Sequence, residues 1–177
     1  MPLTFLSTGF LLDVASYGLS CAPKLTNSVA TALSTTPPAT FQGISLLTKA
    51  SFAAGLVTSL PALTSGMIEF YGLYQVNGLD MSNPKIKKTL YHAGLNDVAI
   101  GAAAWSLWKH MKTPSGTPVS GNRALFALSI IVGTGISAYL GGALVYEHGV
   151  GVQRQGDGAE LKKQELESAK NEVRKNE

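Results

Sequence analysis

Apolar residues along this chain gather into four stretches, Leu3 to about Ala22, about Ile44 to Leu73, about Tyr91 to Met111 and about Ala124 to Tyr146. Each meets or exceeds the roughly 20 residues that a helix needs to cross the hydrocarbon core. The predicted fold class is therefore all-α: a polytopic membrane four-helix bundle over residues 1–152, followed by a charged, partly helical or disordered tail over 153–177. Pro61 falls inside the second stretch and predicts a kink there, with Ser and Thr neighbours to take up the freed carbonyl. Between the stretches, Pro23 to Gly43 is rich in Ser, Thr, Ala and Pro and reads as an exposed loop. Val76 to Thr89, with Asn77-Gly78, reads as a polar turn, and Thr113 to Asn122 as a Pro/Gly loop.

Composition sharpens this picture. Of 177 residues 45% are hydrophobic and only 14% charged, against roughly 25% charged in an ordinary soluble domain. The tail is neutral overall, so the net charge of +3 lies in the apolar part. The cations there are scattered between apolar segments without aromatic platforms, which argues against nucleic acid as a partner. A single cysteine, Cys21, excludes an intramolecular disulfide and any paired-cysteine metal spacing. A cleaved secretory signal is disfavoured, because the first stretch has no basic start and carries Asp13 in its middle.

Nine Lys and Arg residues fall on one side of an up-down arrangement, Lys85, Lys87, Lys88 and six in the tail, against five on the other: Lys24, Lys49, Lys109, Lys112 and Arg123. The positive-inside tendency places both termini on the cytoplasmic side of a multi-pass protein. Trp105 and Trp108 beside Lys109, and Tyr71, Tyr74, Tyr91 and Tyr146 at the opposite ends, are expected as interfacial belts. Gly133, Ser137 and Gly141 recur every four residues and predict a ridge for close helix approach, as do Ala50, Ala54 and Thr58 with Ser51, Gly55 and Ser59.

Ionisable groups inside a bilayer are costly and mark a site. In an up-down bundle the end of the second helix, the start of the third and the end of the fourth share a side. Glu69, His92 and the pair Glu147 and His148 fall at those ends. Asn96 lies one turn from His92 on the same face, beside Asp97. Two histidines on neighbouring helices suit a b-type haem or a transition metal, so His92 and His148 are the candidate ligands, with Glu69 and Asn96 beside them. Against this stands the plainer expectation that these groups are solvated, that Glu69 and Glu147 pair with Lys87 or Lys88, and that polar groups merely join helices. His110, next to Lys109, reads as interfacial. Asp13 is the deepest acid and reads as a neutral, hydrogen-bonded side chain.

The run Leu144-Val145-Tyr146-Glu147-His148-Gly149-Val150-Gly151-Val152, preceded by Gly141-Gly142, closely resembles the C-terminal signature of the membrane family called domain of unknown function 2231. Leu63-Thr64-Ser65-Gly66-Met67-Ile68-Glu69 looks like that family's second-helix ending, and Tyr91-His92-Ala93-Gly94-Leu95-Asn96 like its third-helix start. The resemblance covers roughly residues 2 to 152. In the family the first helix opens with a histidine-proline pair and a histidine-phenylalanine-proline. Pro2-Leu3-Thr4-Phe5-Leu6 begins just after the second histidine, so one or two of the family's histidines are missing here, through a start assigned too late or through loss of part of the site. Family members occur fused to or near redox modules, and the resemblance thereby implies haem or electron transfer and a redox partner.

Three readings of function are open at this level: a haem- or metal-binding redox membrane protein using His92 and His148; a structural or assembly subunit of a membrane complex; and a small transporter or proton conductor with Asp13 and Glu69 as carriers. No nucleophile–base pair, phosphate loop or zinc signature is present, which disfavours a soluble-type enzyme. The tail offers Glu160–Lys163, Glu167–Lys170 and Glu172–Lys175 pairs, each worth a few tenths of a kcal/mol in a helix.

Overall fold

A computed structural model describes residues 2–148 and, beyond them, helical residues at 163–164, 166–168, 170–172 and 174. Five helices form the main body: α1 (Pro2–Cys21), α2 (Pro23–Ala32), α3 (Pro37–Asn77), α4 (Pro84–Lys112) and α5 (Gly121–His148). Among the described residues there is no strand. Most of the tail, including Glu160 and Lys175 of its expected pairs, and Gly149 to Val152 lie outside the described residues, whereas Glu167 and Lys170 are described as exposed helical residues.

The segment Pro23 to Gly43 is not the exposed loop that its composition suggests. Pro23 opens α2, and Pro37-Pro38 open α3 seven residues before the apolar stretch begins. Proline is well suited to the first helical turn, where its missing N–H has no partner to lose and its fixed φ is already helical. A helix pair bent by 115° results at the α1–α2 break. The Thr26 hydroxyl fastens the bend by donating to the Leu19 carbonyl at 2.5 Å. α3 runs unbroken through Pro61. It stops where Gly78, at φ 60°, donates its N–H to the Tyr74 carbonyl, a left-handed C-terminal cap. Asp80 then shapes the turn by accepting from both the backbone and the hydroxyl of Ser82, which holds its carboxyl below the usual range.

Two helices are long and apolar enough to cross a membrane, residues 37–75 and 121–147, and a third span arises if the bent α1–α2 pair counts as one. Four separate spans were expected. α4 falls short in hydropathy, because its lysines confine the apolar part to the residues between Lys88 and Lys109 and His92, Asn96 and Asp97 lie within that part.

The described coordinates divide into two compact units, one of residues 1–63 with 95–136 and one of residues 64–94 with 137–177. In the first, each helix buries one regular face. On α1 it is Leu6, Gly9, Phe10, Asp13 and Ser16; on α3 Thr48, Phe52, Gly55 and Ser59; on α4 Ala99, Ala102, Ala103, Ser106 and His110; on α5 Ala124, Ala127 and Thr134. These spacings of three and four are one stripe of a helix. The stripe is small and polar, whereas Leu46, Val57, Leu125 and Val132 point outward at 57–69% exposure. That inversion suits lipid, where association depends on close packing of small residues more than on burying apolar ones. Ser and Thr hydroxyls are satisfied by carbonyls of their own helices, as in Thr48 to Ile44, Ser59 to Gly55 and Thr134 to Ile130, each at 2.7–2.8 Å.

Close approach centres on Phe52, whose ring meets Phe10 edge-on with centroids 4.9 Å apart. A Cβ added at Gly9 would lie 2.6 Å from Cε1 of Phe52. Gly9→Val is therefore expected to push α1 from α3 and destabilise the fold by about 1–3 kcal/mol. Thermal unfolding in detergent checks this, with Gly18→Val, at a position with open space around it, as the comparison.

Candidate functional site

The first unit brings together three ionisable side chains from three helices, two of them buried and the third, Arg123, partly so. Asp13, midway along α1, is 1% exposed, and His110, in the last turn of α4, is 5% exposed. His110 Nε2 lies 2.6 Å from Asp13 Oδ1, so a proton on Nε2 is donated to the carboxylate. Arg123, in the first turn of α5, brings Nη2 to 3.7 Å from Asp13 Oδ2, close enough for charge attraction and too far for a hydrogen bond. Its Nε and Nη2 are buried without a hydrogen-bond partner.

Local structure explains how the three meet. The link between α4 and α5 is fastened to α1, where the Val119 N–H donates to Ser16 Oγ at 3.2 Å and Gly121 leaves no more than contact distance to the Tyr17 ring. It also meets α3, since Lys49 Nζ lies 3.5 Å from Ser115 Oγ. Gly116 adopts φ 92° there, a conformation that only glycine takes without strain. With the link held against α1, the residues that flank it arrive beside Asp13. Phe52 of α3 closes the remaining side, its ring centroid 6.4 Å from that of His110. Lys109 does not enter the cluster but lies over the Trp105 and Trp108 rings at 5.7 and 5.2 Å.

In the second unit, His92 Nδ1 lies 2.8 Å from the Ser137 carbonyl oxygen, and the Ser137 hydroxyl is 3.2 Å from the His92 carbonyl. A carbonyl only accepts, so Nδ1 carries a proton in this bond. Gly141 makes room for the ring, because a Cβ there would lie 2.8 Å from His92 Cε1. Lys88 and Glu147 form an ion pair, both partly exposed. Glu69 and Asn96 are half-buried and Asp97 is exposed. The side chain of His148 lies outside the described residues. Among the described residues no group of three or more His, Cys, Asp or Glu is placed to hold a metal ion.

The chain matches the profile of the family described as a predicted membrane protein, DUF2231, over residues 1–154. It belongs to that family. No curated protein and no solved structure matches it. Family membership makes the chain a membrane protein whose apolar helices contact the bilayer, and its two to three candidate spans make a multi-pass arrangement plausible.

Of the candidate ligands, the structure ties His92 to Ser137, one residue of the small ridge on α5. It also gives Glu147 to Lys88, one of the two lysines expected for it. His110 is buried, and with Arg123 it supplies Asp13 with the partners that the sequence left unnamed. Two signals point to it: the stripe Ala99, Ala102, Ala103, Ser106, His110 puts it on the packed face of α4, one residue round from Lys109, and up-down topology brings the end of the third long helix to the start of the fourth.

Removing one partner from a buried ion pair leaves an uncompensated charge, at a cost of about 3–5 kcal/mol, whereas an interhelical hydrogen bond in a membrane averages about 0.6 kcal/mol. Asp13→Ala is thus expected to destabilise the protein several-fold more than Ser137→Ala, as read by thermal unfolding in the same detergent.

Proposed function

We propose that this membrane protein is a non-catalytic structural or assembly subunit of a membrane complex, with its polar groups acting as clasps between helices. The supporting observation is the His92–Ser137 pair: a histidine chosen as a ligand candidate spends its Nδ1 proton on the backbone of a neighbouring helix. Lys88 with Glu147 and Asp13 with His110 follow the same use of polar side chains between helices. Polar contacts of this kind hold membrane helices in register without a ligand. The reading keeps both termini on the cytoplasmic side, on the strength of the nine cations against five.

A second reading is favoured by the same hydrogen bond. A ligating histidine commonly donates its other ring N–H to a carbonyl, which fixes the ring and directs the lone pair outward. His92 meets that condition, so it and His148 would be the residues to hold a b-type haem, which supplies one-electron chemistry when bound. For a transition metal the described residues offer no cluster of ligands.

The two readings part at Gly141 and at the spectrum. Gly141→Leu forces the His92 ring from its place, and on the structural reading it lowers stability by about 1–3 kcal/mol with no change in absorbance. An ultraviolet-visible spectrum of the purified protein, oxidised and dithionite-reduced, is expected to show no Soret band. A Soret band that shifts on reduction and is lost in His92→Ala would replace the structural reading with electron transfer.

A further inference from the structure

The orphaned edge of Arg123 singles out one cluster from the other interhelical contacts. Nε and Nη2 form one side of the guanidinium fork, the geometry that takes a carboxylate with two parallel hydrogen bonds. That edge is buried and unsatisfied, while the carboxylate closest to it, Asp13, is engaged through Oδ1 with His110 at 2.6 Å and reaches only 3.7 Å from Nη2 with Oδ2. One carboxylate thus has two cationic suitors, and it is seated on the weaker base.

We propose that Asp13, His110 and Arg123 form a proton-binding site, with His110 as the acceptor and Arg123 as a cation that competes for Asp13. The proton adds to Nδ1 of His110, the nitrogen left with the lone pair when Nε2 donates to Asp13. No other bond breaks. The imidazolium that forms is balanced by the Asp13 carboxylate, and it lies in the last turn of α4, where the helix dipole favours a positive charge. Arg123 lies in the first turn of α5, where that dipole opposes it, so Arg123 depends on Asp13 for compensation.

When His110 carries the proton, two charged hydrogen-bond partners hold Asp13 toward α4. When the proton leaves, the neutral imidazole offers a weaker bond, and the permanent charge of Arg123 draws Asp13 into its fork. The proton therefore decides whether α1 is bonded to α4 or to α5. The surrounding elements leave this exchange to the three groups. α3 presents the Phe52 ring, its Lys49 is directed at Ser115, Tyr17 of α1 packs against Gly121, and Lys109 of α4 is turned to the tryptophans.

The test is nuclear magnetic resonance of histidine-ring nitrogens in the full chain, ¹⁵N-histidine labelled, in phosphatidylcholine nanodiscs at about pH 5.5 and 8. His110→Gln assigns the ring among the three histidines. The expected result is an imidazolium for His110 at the lower pH and a neutral ring at the higher. Asp13→Asn keeps the ring neutral at both, since an amide does not balance the charge. Arg123→Gln keeps the imidazolium at the higher pH, since the competing cation is gone, and Arg123→Lys restores the wild-type pattern. A His110 ring in one protonation state at both pH values in the wild type overturns the proposal. So does a wild-type change that Asp13→Asn and Arg123→Gln both leave unaltered in protein that retains its helical circular dichroism.

Discussion

A carboxylate in the middle of an apolar helix cannot draw on water, and in this chain that constraint reaches well beyond Asp13. A single acid between Leu12 and Val14 draws its charged partners from other parts of the chain, because α1 carries no cation. His110 comes from the end of α4 and Arg123 from the start of α5, and the short link between them must lie against α1 for both to arrive. The Val119–Ser16 bond and the tight fit of Gly121 on Tyr17 keep it there. The burial of Asp13 at 1% exposure is thus the consequence of a loop geometry as much as of helix packing.

The same constraint sorts the rest of the polar residues by size of effect. Hydroxyls of Ser and Thr turn back to carbonyls four residues earlier and are satisfied without crossing to another helix. Such bonds let small polar side chains line the packed faces, where their size permits backbones to come together. The ion pair of Lys88 with Glu147 is partly exposed, at 29% and 52%, and a pair in contact with solvent contributes about 0–1 kcal/mol. Where a charge is enclosed, losing a partner becomes expensive, and Asp13 with its partner His110 is the enclosed pair among the described residues.

Much of the helical plan was legible in the sequence because apolar length and small-residue spacing are local signals. The Gly133, Ser137, Gly141 ridge does face α4: Leu95 lies against Gly133 in one unit, and His92 against Ser137 and Gly141 in the other. The missed helix α2 has an equally local cause. Ser, Thr, Ala and Pro were read as loop formers, whereas Pro23, Pro37 and Pro38 each occupy a first turn, the one place in a helix where proline costs nothing. By length and composition two helices, or three with the bent α1–α2 pair, qualify as spans, and α4 is less apolar than its length suggests because His92, Asn96 and Asp97 interrupt it.

The partners of Asp13 were harder to read, for a physical reason. Its contact to His110 joins positions 97 residues apart, and His110 is flanked by Lys109, Met111 and Lys112, which advertise an interface with headgroups and water. A helix turns 100° per residue, so Lys109 can reach the tryptophans while His110 faces inward. Adjacent residues on one turn therefore belong to different environments, and cluster composition misleads where periodicity does not. The same rule separates Arg123 from the cations with which it was counted: at the first turn of α5 its charge opposes the helix dipole, and the protein offsets this with the one acid that α1 carries. A residue tallied as a marker of sidedness is thereby a structural counter-ion, and the membrane-facing charge count on that side is smaller than the sequence suggests.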